Sequence, residues 1–127
     1  MPTILCIDHD ADFLELEKSI LETNGYAVVI ASDGPTGITL ASKSPIDVVV
    51  LAFKMPGMDG AQVADVLWKH QPNLSIVVFT DFFDAVPDWL RWFADGCVEK
   101  RYGPGILLST IQRVIAHKNV PTQAVAA

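Results

Sequence analysis

Four short clusters in this chain combine side chains able to hold a cation or neutralise a charge. Asp8-His9-Asp10 sets two carboxylates around an imidazole. Lys54 follows Ala52 and Phe53, Asp81 follows Thr80, and Arg101 follows Lys100. Carboxylates suit hard cations such as Mg²⁺, whereas an imidazole between two acids also suits a transition metal. Ligands so close in sequence seldom converge on one ion without help. An ion pair between these acids and Lys54 or Lys100 is the competing use.

Each cluster follows an apolar run, so the elements that carry it can be read from the pattern. Residues 3–7 form a nearly continuous apolar run that ends at Asp8. An amphipathic stretch follows, with Asp10 or Asp12 as N-cap, Phe13, Leu16, Ile20 and Leu21 near helical spacing, and Asn24-Gly25 as its stop. Residues 26–31 are a second strand and 35–43 a weak helix. Residues 47–52 contain Val-Val-Val-Leu, apolar on both faces as a central parallel strand requires. After a Pro/Gly-rich loop come a helix at 60–70, a strand at 75–79, a helical segment at 85–94, a short strand at 96–99 and a helix at 105–118. Five strands alternating with five helices predict an α/β fold. It is a three-layer (βα)5 sandwich around a parallel sheet, with chemistry gathered at the carboxyl ends of the strands.

Composition narrows the function classes. The chain has 127 residues, 50% of them hydrophobic, enough for one filled core. Its formal net charge of −6 is concentrated: residues 1–33 hold seven acids against Lys18 alone, and residues 34–127 hold eight of each sign. With no basic cluster, direct binding of nucleic acid or of an anionic membrane is not expected. Cys6 and Cys97 read as reduced core thiols. With no signal-like or spanning segment, the expectation is a cytoplasmic domain over residues 1–118, with 119–127 a flexible tail or linker start. Asp12, Glu15, Glu17 and Glu22 are assigned to the first helix, the later ones to a solvated or partner-facing side.

In order along the chain, the four clusters resemble response-regulator receiver domains, the CheY-like, flavodoxin-like fold of two-component phosphorelays. Ile-Leu-Cys-Ile-Asp8-His9-Asp10 resembles the family's first strand and acidic pair. Met55-Pro56-Gly57-Met58-Asp59-Gly60 is similar to the loop after its phospho-accepting aspartate. Thr80 matches the switch hydroxyl, and Lys100 matches the invariant lysine. The likeness covers residues 3–118 and implies strand order 2-1-3-4-5. It also implies protein partners, whether a histidine kinase, an output domain or another signalling protein.

The departures from the family pattern are as informative as the match. The acceptor position is Ala52, which offers neither nucleophile nor metal ligand. His9 replaces the second acid of the pair, so Mg²⁺ binding through Asp8 and Asp10 is expected to be weak or absent, and no other cofactor is implied. The residual pocket is expected to close as ion pairs among Asp8, Asp10, Asp81, Lys54 and Lys100. The alternative is that Lys54 and Asp81 face solvent. Cys97 stands at the aromatic switch position, and Arg101 replaces the proline that follows the family's lysine. Trp89, Trp92, Phe93, Cys97 and Arg101 are read as an interaction face on the fourth helix, fifth strand and fifth helix, open also to homodimerisation. His70 and His117 are read as solvated.

The reading is a degenerate receiver, a non-enzymatic interaction module that no longer accepts phosphate. One alternative is a working receiver in which Ala52 is an engineered replacement, a point the coding sequence decides. Another is a small Asp-based phosphatase of the haloacid-dehalogenase type using Asp8 and Asp10. That reading lacks any acid after Glu99 and leaves the Met55–Gly60 run unexplained.

Overall fold

A computed structural model describes residues 1–118; the proposed tail at 119–127 lies outside the described residues. The strands are β1 (Thr3–Ile7), β2 (Ala27–Ala31), β3 (Val48–Leu51), β4 (Ser75–Thr80) and β5 (Gly96–Glu99). The helices are α1 (Ala11–Thr23), α2 (Gly34–Lys43), α3 (Gly60–His70), α4 (Asp88–Phe93) and α5 (Pro104–Lys118). All four strand pairings are parallel and the order is β2-β1-β3-β4-β5, as the sequence pattern and the family likeness imply.

Alternation along each strand feeds two separate cores. Leu5, Ile7, Val49, Leu51, Ile76 and Val78 pack with Ala41, Val63, Ala64, Leu67 and Leu90. Their neighbours in the strands, Ile4, Cys6, Val48, Val50, Val77 and Phe79, pack with Leu14, Leu21, Leu107, Ile111 and Val114. Helices α2, α3 and α4 therefore cover one face, and α1 and α5 the other. Each sheet residue in the centre is buried on whichever side it points, which explains the unbroken apolar run of β3.

Three helix starts, those of α1, α2 and α3, are fixed by aspartates. Asp10, Asp33 and Asp59 each accept a backbone N–H from three residues ahead, at Phe13, Thr36 and Gln62. Gln62 returns the bond to the Asp59 N–H, completing a capping box. Gly60 has a steric reason: a Cβ there would sit 2.5 Å from the Ala52 carbonyl oxygen and 2.8 Å from Phe53 Cα. Gly57, at φ 79°, makes the turn before it. The Met55–Gly60 run thus seats α3 directly against the end of β3.

Two helices differ from expectation. Helix α4 begins only at Asp88, because Pro87 supplies its N-cap and the preceding residues Phe83–Ala85 form a separate 3-10 turn. On α1 the inward stripe is Leu14, Glu17 and Leu21, whereas Leu16 is exposed. The solvated position expected for Glu17 is therefore corrected: it is 2% exposed.

Candidate functional site

Parallel register brings the ends of β1, β3 and β4 into one row. Ile7 pairs with Leu51, and Leu51 with Val78. The Ala52 N–H donates to the Ile7 carbonyl at 2.9 Å, and the Asp8 N–H to that of Ala31 at 3.1 Å. Beyond this row lies a cleft of about 230 Å³ lined by Asp8, His9, Asp10, Ala52, Phe53, Lys54, Thr80, Asp81, Phe82 and Lys100. The five residues expected to form ion pairs, Asp8, Asp10, Asp81, Lys54 and Lys100, all border it, together with His9, Thr80 and Ala52.

Asp8 is the buried centre of this cleft, 2% exposed. Its Oδ2 is paired directly with Lys100 Nζ, and the Lys100 side chain is itself only 11% exposed. Its Oδ1 accepts the Asp10 N–H at 3.0 Å. The His9 ring stands half-exposed with Nδ1 3.6 Å from the same oxygen. Lys100 also lies over the Phe13 ring, 4.3 Å from its centre, so the ammonium is enclosed by a carboxylate and an aromatic face.

The five-member ion-pair cluster is corrected to this one pair. Asp10 is committed to capping α1. Lys54 is exposed and lies over the Phe82 ring at 4.4 Å, because Phe53 and Met55 on either side turn into the core. Asp81 is exposed; Thr80 before it points inward and its hydroxyl oxygen accepts the Phe82 N–H at 2.9 Å. Thr80 is therefore held in a local turn.

The donor set fits a hard divalent cation poorly. Ala52 contributes no ligand, Asp8 faces an ammonium, Asp10 serves the helix, and an imidazole occupies the adjacent position. Among the described residues no group of three or more His, Cys, Asp or Glu side chains is arranged to hold a metal. Neither nearby acid replaces the missing acceptor: Asp47 binds the Thr3 N–H at the opposite end of the sheet, and Asp59 caps α3.

Beneath the cleft lies a group the sequence reading placed elsewhere. Glu17 projects from α1 towards Cys6, and its Oε2 has no hydrogen-bond partner. Burial pushes its carboxyl up from 4.5 to about 7; the Cys6 hydrogen bond and Lys100 oppose the rise, and Asp8 and Asp10 add to it. The same burial raises the Cys6 thiol well above its ordinary range, with Glu17 contributing. The signal was positional: 14, 17 and 21 lie on one helical stripe.

The single interaction face expected at α4, β5 and α5 divides into two. Trp89 and Phe93 turn towards α3, where Phe93 meets Trp68 edge-on at 6.0 Å. Trp68, 49% exposed, was not singled out from the sequence because only the fold brings α3 beside α4. Cys97 lines a different depression with Gly96, Tyr102 and Arg113. Arg101 is exposed beside it, held by Glu99 and Tyr102. Trp92 points outward, 91% exposed, and Leu90 fills the core. His70 and His117 are both exposed.

Comparison with known proteins places this architecture. The chain is 31% identical over 117 residues to the transcriptional regulatory protein KdpE of Mycobacterium tuberculosis, covering 91% of this chain and 51% of that protein. It is 31% identical over 85 residues to GlrR of Escherichia coli, covering 67% of this chain and 19% of that one. It thus spans about half or less of these curated relatives. The response regulator TrrA of Thermotoga maritima, solved with Mg²⁺-BeF, superposes with a TM-score of 0.84 at 27% identity, covering 90% of this chain and 99% of that one. TrrA in complex with the histidine kinase ThkA gives 0.82 at 27%, with 90% and 98% covered. A family model for the response regulator receiver domain matches residues 4–112. The chain belongs to the response regulator receiver domain family.

Proposed function

We propose that this receiver accepts no phosphoryl group and acts as a constitutive protein-interaction module in two-component signalling. The observation that carries the reading is the direct Lys100–Asp8 pair in a cleft whose acceptor position is Ala52. In-line attack on a phosphodonor needs an activated carboxylate, and a metal to neutralise developing charge. The acceptor side chain here is a methyl group. The charges that would attend a phosphoryl group instead neutralise one another.

In this reading the ion pair ties the end of β5 to the end of β1 without an input signal. That TrrA is seen with a histidine kinase supports a signalling protein as partner here. No enzymatic step and no Mg²⁺ requirement belong to the proposal. The chain's net negative charge supports proteins rather than nucleic acid as direct partners. The test is intact-mass analysis after incubation with a small phosphodonor and Mg²⁺. No mass increase is expected, and addition of one phosphoryl group overturns the proposal.

A further inference from the structure

We propose that the recess between α3 and α4 is a docking site for an arginine side chain of a protein partner. The recess measures about 280 Å³ and is lined by Trp68, Trp89, Phe93 and the carboxylate of Asp65. That is near the lower limit for a drug-sized ligand, about 300 Å³, and suits a single long side chain.

Three rings around one carboxylate define the chemistry. The faces of the rings attract cations, most strongly for tryptophan. Phe93 holds the two indoles together, edge-on to Trp68 at 6.0 Å and tilted to Trp89 at 6.5 Å. Trp68 and Trp89 keep nearly half their surface exposed, so ring area remains free for contact. Asp65 lies at the rim, one turn before Lys69, whose ammonium reaches its Oδ2 at 3.0 Å. An exposed pair of this i,i+4 type contributes only about 0.3–0.5 kcal/mol, so Lys69 is readily displaced. A guanidinium fits better than an ammonium. It is planar, stacks on indole, and binds a carboxylate through two parallel N–H groups.

Charge complementarity favours this occupant over an acidic or purely apolar one. Within the chain, Arg91 is paired with Asp88 and lies over Phe83, and Arg101 is engaged by Glu99 and Tyr102. The proposal is independent of the chemistry at Ala52, since no residue of the recess borders that cleft.

The test is NMR of the three tryptophan indole N–H signals in the whole chain, titrated with N-acetyl-arginine methylamide or its neutral citrulline analogue. Saturable shifts are expected at Trp68 and Trp89 but not at Trp92, with affinity about three- to tenfold higher for arginine. Asp65→Asn, a change at an exposed position, is expected to remove most of that preference while leaving the circular dichroism spectrum unchanged. Equal response to the two probes, or no response at Trp68 and Trp89, overturns the proposal. Indole shifts that appear on concentrating the chain alone overturn it in favour of a second copy as occupant.

Discussion

The cleft at the strand ends and the recess between α3 and α4 hold opposite kinds of unfinished business. In the cleft, groups suited to an external ligand have found partners within the chain: Asp8 with Lys100, Asp10 with the α1 backbone, Thr80 with Phe82. In the recess, aromatic surface faces solvent, and its carboxylate, Asp65, is held only by the exposed pair with Lys69. Polar groups near buried positions must be satisfied from inside when no ligand satisfies them, because an unpaired charge there costs several kcal/mol. Exposed aromatics bear a much smaller penalty and can remain available. The difference teaches how each region is satisfied: the cleft mainly by the chain itself, the recess mainly by solvent.

The strongest way to break that contrast is to cut the buried pair. Lys100→Ala leaves the nearly inaccessible Asp8 carboxyl without its counter-ion, and is expected to cost about 3–5 kcal/mol in denaturant unfolding. The double change Asp8→Asn with Lys100→Ala is expected to recover part of that loss. A single-variant cost below about 1 kcal/mol would show the pair to be solvent-screened and the contrast overstated.

Next in size is Glu17. Its folded-state carboxyl lies near 7 against an ordinary 4.5, so the folded protein holds a proton that the unfolded chain releases. Stability from this group is complete below about pH 4.5 and is lost as pH rises towards 7, levelling beyond. Glu17→Gln is expected to flatten that segment of the pH profile and to add about 3 kcal/mol at pH 8. Equal slopes for the two proteins between pH 5 and pH 7 would contradict the assignment.

Asp10→Ala removes the α1 cap and is expected to cost about 1 kcal/mol by thermal or denaturant unfolding. Outside the recess, Trp92→Ala removes a side chain with almost no packing and is expected to change stability by less than about 0.5 kcal/mol. A larger loss there would mean that α4 depends on its outer aromatics for folding.

Much of this was legible from residue types alone. The apolar runs mark all five strands, the Val-Val-Val-Leu segment marks the centre of the sheet, and Asp10 and Asp12 both read as N-caps for α1. The Met55–Gly60 run identified the loop that the Gly60 backbone contact explains. Other features needed the fold. Glu17 reads as an ordinary helix-surface acid until Leu14 and Leu21 prove to be the inward residues on either side. Lys54 is close enough along the chain to suggest a partner for Asp8, but alternation between buried Phe53 and Met55 turns it outward. Trp68 gains meaning only when Phe93, twenty-five residues later, is brought against it.

The most direct measurement is intact mass of the chain and of its Ala52→Asp variant, both exposed to the same small phosphodonor with Mg²⁺. The chain itself is expected to remain unmodified. Phosphoryl transfer to the variant alone would place the loss of function at position 52; no transfer to either would show that the Lys100–Asp8 pair and His9 also block it. A phosphorylated species of the unaltered chain would contradict the reading of a receiver that works without phosphate.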